Sequence, residues 1–174
     1  MMGHLNVEFK ARCEHPEIVR EVLHRYNARF VGQDHQIDTY FNCTNGRLKL
    51  REGKIENSLI HYERGDQSGP KQSFVTLFKT EPQTPLKSLL TKSFGVKIIV
   101  DKKREIYFID NVKFHLDEVR GLGSFVEVEA IDLEGNLGKT RLQQQCQQYL
   151  EEFNIKPEQL VSCSYSDLLL TEKS

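Results

Sequence analysis

Every second residue is polar along several stretches of this chain, and most of those polar positions carry charge. In Asn6-Val7-Glu8-Phe9-Lys10-Ala11-Arg12, the residues Asn6, Glu8, Lys10 and Arg12 share one face, and Val7, Phe9 and Ala11 share the other. Arg47, Lys49 and Arg51 stand opposite Leu48 and Leu50, and Lys102 and Arg104 share a face. Lys113, His115 and Asp117 stand opposite Val112, Phe114 and Leu116, while Glu127 and Glu129 stand opposite Val126 and Val128. A period of two makes these segments strands of a sheet with two chemically distinct faces.

Strands are expected at about 5–13, 36–42, 46–52, 58–64, 73–79, 97–109, 112–119 and 125–131. Asn45-Gly46 and Asp110-Asn111 suit tight turns between neighbours. Other segments carry helical stripes. Pro16 opens the first, where its missing N–H costs nothing, and Ile18, Val19, Val22, Leu23 and Tyr26 form the stripe. The second runs from about Thr84 to Phe94, with Leu86, Leu89, Leu90 and Phe94 on one face and Gly95 as its stop. The third follows Asn136 and buries Leu142, Cys146, Tyr149, Leu150 and Phe153; a short fourth starts near Ser166 and carries Leu168 to Leu170. Eight strands joined mostly by turns give a mainly β fold with added helices. The expected architecture is a closed antiparallel eight-stranded barrel with helices packed on its outside. Closure follows from strand count alone, since an open, strongly curved sheet leaves the same pattern.

In most such sheets the apolar side faces the core and the charged side faces water. Two features argue for the reverse. The helices each need an apolar surface to cover, and the outer faces of the strands supply it. The charges are also segregated, with three cations at 47–51, two at 102–104 and a carboxylate pair at 127–129. A merely solvated face mixes both signs. Turned inward, these faces line a polar tunnel with a cationic wall and an acidic patch. Such a cavity suits a polyphosphate gripped by Lys and Arg and a divalent metal held by carboxylates.

The chain has 174 residues, 24 Lys plus Arg against 25 Asp plus Glu, and 38% apolar residues. That size fits one domain over 1–174, and the composition is globular. Balanced charge leaves no net basic field to hold nucleic acid or an acidic membrane at long range. Cys13, Cys43, Cys146 and Cys163 form no CxxC pair, which argues against a zinc ribbon or a thioredoxin-type site. The sequence shows no signal-peptide core and no apolar run long enough to span a bilayer, so a reduced cytoplasmic protein is the expectation. It also has no GxxxxGK[ST] loop and no HExxH-like spacing.

Asn6-Val7-Glu8-Phe9-Lys10 resembles the N-terminal ExExK motif of CYTH domains, the triphosphate tunnel metalloenzymes. The likeness continues in order through Gln36–Phe41, Arg47–Glu52, Tyr62-Glu63-Arg64, Val100–Tyr107, Leu116–Glu129 and Ser164–Leu169. It covers almost the whole chain and is nearest to the class IV adenylyl cyclase-like branch, which is related to the thiamine triphosphatases. The resemblance implies a tunnel in which basic residues grip a triphosphate while carboxylates bind Mg²⁺ or Mn²⁺. Carried over by position, Glu8, Glu127 and Glu129 are candidate metal ligands, with Asp117 as a further acidic contact. Lys10, Arg51, Arg64, Lys102 and Arg104 are candidate phosphate ligands, and Arg47 and Lys49 extend the basic wall. Asn6 stands where the motif has its first Glu; it keeps an oxygen ligand but removes a charge, which weakens metal affinity without abolishing the site.

The expected chemistry is metal-dependent displacement at a phosphorus of a small-molecule triphosphate. A ribose 3′-OH attacking the α-phosphate gives cyclic AMP and pyrophosphate; water attacking the terminal phosphate makes the protein a triphosphatase. Lys10, among neighbouring cations, is the candidate base, and Tyr40 joins the catalytic set by orienting a lysine or water. A packed tyrosine with one hydrogen bond is the competing reading of Tyr40. A non-catalytic polyphosphate- or nucleotide-binding module is the alternative, favoured by Asn6 and opposed by the intact Glu8, Glu127 and Glu129. No nucleic-acid or membrane partner is expected, and a homodimer is left open.

Overall fold

The structure, a computed structural model, describes residues 3–172. Its strands are β1 (His4–Arg12), β2 (Arg29–Phe41), β3 (Arg47–Glu52), β4 (Ser58–Arg64), β5 (Lys71–Lys79), β6 (Val96–Ile109), β7 (Val112–Val119) and β8 (Gly123–Asp132). They close into an antiparallel barrel in the order β1-β5-β4-β3-β2-β6-β7-β8. The helices are α1 (Pro16–Arg25), α2 (Leu86–Phe94), α3 (Gly138–Glu152) and α4 (Tyr165–Glu172). None is long and apolar enough among the described residues to cross a membrane.

The apolar half of the alternation points outward, under the helices. Val7, Phe9 and Ala11 of β1, Val112, Phe114 and Leu116 of β7, and Val126, Val128 and Ala130 of β8 form one side of a core. Val19, Val22 and Leu23 of α1, Leu142, Cys146 and Tyr149 of α3, and Phe153 just after α3 form the other. Fully burying a large aliphatic or aromatic side chain is worth about 1.5–3 kcal/mol. Together these contacts fix the register. A slip of one residue would turn Glu8, Lys10 and Glu127 into the apolar layer under α3.

The stripes of α1 and α2 bury less than their periodicity suggests. Ile18 and Tyr26 of α1 and Leu89 and Phe94 of α2 are exposed, and Leu90 alone in α2 is fully buried, against Phe41 and Leu50. A straight helix on a convex barrel wall touches it along a narrow strip, so the flanks of a wide stripe stay in water. On the outer face of β5, Phe74 and Phe78 are exposed.

β2 starts seven residues before the expected 36, at Arg29. That first half pairs with β6 only, since β3 joins β2 from Ile37 onward. A segment with one partner strand and no helix over it needs no apolar alternation, which is why Gly32-Gln33-Asp34-His35 did not read as strand. α2 likewise starts at Leu86 rather than Thr84, because Pro85 occupies its N-cap.

Candidate functional site

A cavity of about 560 Å³ is lined by alternate residues from every strand, so it lies inside the barrel. Asn6, Glu8, Lys10, Tyr40, Lys49, Arg51, Arg64, Lys102, Arg104, Glu127 and Glu129 all face it. The inward turn of the charged faces thus brings together eleven of the thirteen candidate residues from all strands but β5 and β7. The other two stand one layer back. Arg47 donates to Asp66 (3.1 Å) and to Asp167 of α4 (2.9 Å). Asp117 accepts two bonds from Arg104 (2.6 and 2.5 Å) and one from the Tyr165 hydroxyl (2.8 Å), a geometry that orients Arg104.

Each cation of the wall already has an anionic partner. Asp38 of β2 accepts from Lys49 (2.9 Å), Lys102 (2.7 Å) and both ends of the Arg51 fork (2.9 and 3.0 Å). Burial pushes the Asp38 carboxyl up, but Arg51, Lys102 and Lys49 outweigh it and hold it well below the usual carboxylate range. Lys102, buried and crowded by Arg104 and Arg51, is held well below an ordinary lysine. Arg64 is paired with Glu8, and Lys10 sits 3.6 Å from Glu127 and 4.0 Å from the centroid of the Tyr165 ring. Burial lowers Lys10 despite the opposing pull of Glu127.

The acidic patch has its own logic. Glu8 and Glu129 are cross-strand partners, as are Lys10 and Glu127. Burial would raise Glu127, but Lys10, the His115 contact (3.4 Å) and Arg104 (2.9 Å) keep it well below the carboxylate range. Glu129 lacks such a partner: burial, then Glu8 and Glu127, push it up to about 7. Its hydrogen bond comes from Asn6, whose Nδ2 donates at 3.1 Å while Oδ1 is buried with no partner. Burial and the Arg104 charge lower His115 to about 3, so its ring is neutral, and its Nε2 is also unpartnered. Among the described residues no three His, Cys, Asp or Glu side chains stand together as a metal cage. Glu8 is turned to Arg64 and Glu127 to Arg104 and Lys10.

Sequence reasoning passed over Asp38, Glu56, Lys113, His115 and Tyr165 as site residues. Asp38 carried a signal, since it shares a period-two face with Gln36 and Tyr40. Glu56 lies in a loop and carried none.

The CYTH domain pattern matches residues 4–165 of the chain. A curated protein of Methanocaldococcus jannaschii named "Putative adenylate cyclase MJ0240" is 25% identical, over 94% of this chain and 98% of that one. Among solved structures, the PH1012 protein from Pyrococcus horikoshii superposes with a TM-score of 0.76 at 21% identity, over 94% of this chain and 98% of its own. HpAC1 from Hippeastrum, for which a dominant triphosphatase activity is described, superposes at 0.61 with 11% identity, over 98% of this chain and 95% of its own. The two superpositions carry the fold, and the sequence match over 4–165 carries the family: the chain belongs to the CYTH domain family.

Proposed function

We propose that the protein is a divalent-metal-dependent enzyme that cleaves a P–O–P bond of a small triphosphate held in the tunnel. The observation that carries this reading is the inner wall, where Lys10, Lys49, Arg51, Arg64, Lys102 and Arg104 face one cavity beside Glu8, Glu127 and Glu129. Arg51, Arg64 and Arg104 offer forks matched to phosphate oxygens, and the lysines offer point charges. Triphosphate would take over cations now held by carboxylates of the protein. That exchange frees Glu8 from Arg64 and Glu127 from Arg104 and Lys10.

The freed donors suit a hard cation. Asn6 Oδ1, orphaned and buried, and the oxygens of Glu8, Glu127 and Glu129 would hold Mg²⁺ or Mn²⁺. Bound with the substrate, such an ion supplies positive charge against the oxygens that gain charge as the P–O bond breaks. Lys10, lowered by burial, takes the proton from the attacking hydroxyl. Tyr40, whose phenol is raised to about 12 by burial and Asp38, stays protonated and acts as a donor to an oxygen or water.

Water at the terminal phosphate gives a triphosphatase; a ribose 3′-OH at the α-phosphate gives an adenylyl cyclase. The M. jannaschii and Hippeastrum proteins are both named as adenylyl cyclases, and a dominant triphosphatase activity is described for the second. Product analysis with ATP, tripolyphosphate and thiamine triphosphate, with Mg²⁺ or Mn²⁺ at neutral and alkaline pH, tests the reading. Release of orthophosphate or pyrophosphate is expected. Tight binding with no product from any of the three would leave a non-catalytic polyphosphate- or nucleotide-binding module.

A further inference from the structure

The loop joining β3 and β4, residues 53–57, folds into the tunnel. Asp34 of β2, fully buried, accepts backbone N–H bonds from Lys54 (2.7 Å), Ile55 (3.1 Å) and Glu56 (3.0 Å). The approach is close enough to need glycine, since a Cβ on Gly53 would stand 2.4 Å from Asp34 Oδ2. Asn57 closes the loop, donating to the Gly53 carbonyl (2.8 Å) and accepting from its N–H (3.2 Å). The backbone under Glu56 is therefore fixed by groups other than Glu56 itself.

From that base the Glu56 carboxylate reaches over the cavity. It accepts from Arg51 Nη1 (3.0 Å) and Gln36 Nε2 (3.0 Å) and pairs with Lys113. Lys113 lies on β7, three strands round the barrel from β3, so the carboxylate spans the tunnel. Loop residues Ile55, Asn57, Thr80, Glu81 and Pro82 line this end, which marks it as a mouth. Glu56 thus offsets one of the two positive charges nearest the mouth and sets a carboxylate where a phosphate chain would pass. Apolar Ile60, Leu77 and Ile131 face the same cavity.

We propose that Glu56 limits the tunnel to three phosphates, repelling a fourth and admitting an uncharged or cationic organic group in its place. The preferred substrates are then organic triphosphate esters rather than longer inorganic polyphosphates. The inference rests on the triphosphate reading above. At an effective dielectric of about 20, a carboxylate facing one more phosphate discriminates by about tenfold or more.

Calorimetric titration with tripolyphosphate, tetrapolyphosphate and ATP in Mg²⁺ buffer tests it on the wild type and on Glu56→Gln. Wild type should bind tetrapolyphosphate about tenfold more weakly than tripolyphosphate. In Glu56→Gln that gap should close or reverse, with ATP affinity changing far less. Circular dichroism checks the fold; should the amide variant not fold, Glu56→Ala carries the comparison, because Asp34 holds the loop. A wild type that prefers the longer chain, or a ratio identical in wild type and variant, overturns the role of Glu56 while leaving the triphosphate reading intact. Failure of the wild type to bind any of the three overturns both.

Discussion

Asn6 and Glu129 lie diagonally across the β1–β8 pairing, and the Asn6 amide donates to Glu129 at 3.1 Å. A carboxylate at position 6 would instead confront Glu129, already pushed up to about 7 by burial and by Glu8 and Glu127. Asparagine therefore relieves repulsion in the metal-free tunnel and leaves one buried oxygen, Oδ1, without a partner.

Asn6→Glu should trade stability for metal affinity. Without metal, a further buried anion should cost about 1–3 kcal/mol, a fall in Tm of roughly 2–10 °C for a chain of this size. Titration calorimetry should show tighter Mn²⁺ binding, and Mn²⁺ should restore the lost Tm. A variant with unchanged Tm and unchanged Mn²⁺ affinity would remove position 6 from the site.

Asp38 is the counter-ion of the cationic wall, and its removal should be reversible by ligand. Asp38→Asn leaves Lys49, Arg51 and Lys102 facing one another, a cost of about 3–5 kcal/mol for a broken buried pair. Added tripolyphosphate should recover more Tm in the variant than in the wild type. The pH dependence has a definite sign. A folded-state pKa below the unfolded one gives stability that is present above about 3.9 and lost as pH falls through the folded value. Wild type should therefore lose stability between about pH 5 and 2 more steeply than Asp38→Asn, by urea unfolding at each pH.

Two cations of the wall should separate grip from scaffolding. Lys49→Ala leaves Asp38 held by Arg51 and Lys102, so the melting curve should move little while triphosphate affinity falls about tenfold. Arg104→Ala leaves Asp117 and Glu127 buried without their arginine and should lower stability by about 3–5 kcal/mol as well as weakening binding. Equal melting curves for both variants would show that the Arg104–Asp117 pair is not structural.

The sequence made the barrel legible because a closed sheet with outer helices leaves period-two charge, and that pattern survives in β1, β3, β6, β7 and β8. Lys10, Lys102, Arg104, Glu127 and Glu129 are found at inward positions for this reason. Partnerships were not legible. Lys113 and Glu56 lie 57 positions apart, and Lys102 and Asp38 lie 64 apart, so no local pattern shows that the wall is neutralised from within. Helix coverage was overread for a geometric reason, since periodicity gives the angle of a stripe and not the curvature of its partner. Leu89 and Phe94 are the result.

Lys10 offers the sharpest test of chemistry against grip. Its amine is buried, flanked by Glu127 at 3.6 Å and by the Tyr165 ring at 4.0 Å, and burial lowers it from the ordinary lysine value. A base must lose its proton first, so kcat should rise with pH and level off at a midpoint below about 10.5. Lys10→Arg keeps a permanent cation at the same place but cannot take a proton near neutral pH. It should retain triphosphate affinity within a few-fold while kcat falls by about 10²–10⁴, the usual range for a lost general base. The rising limb of the pH profile should vanish with it. Lys10→Met, which loses charge and base together, should lose affinity as well as rate. If Lys10→Arg keeps the wild-type kcat and pH limb, Lys10 only grips phosphate, and the proton leaves by another route.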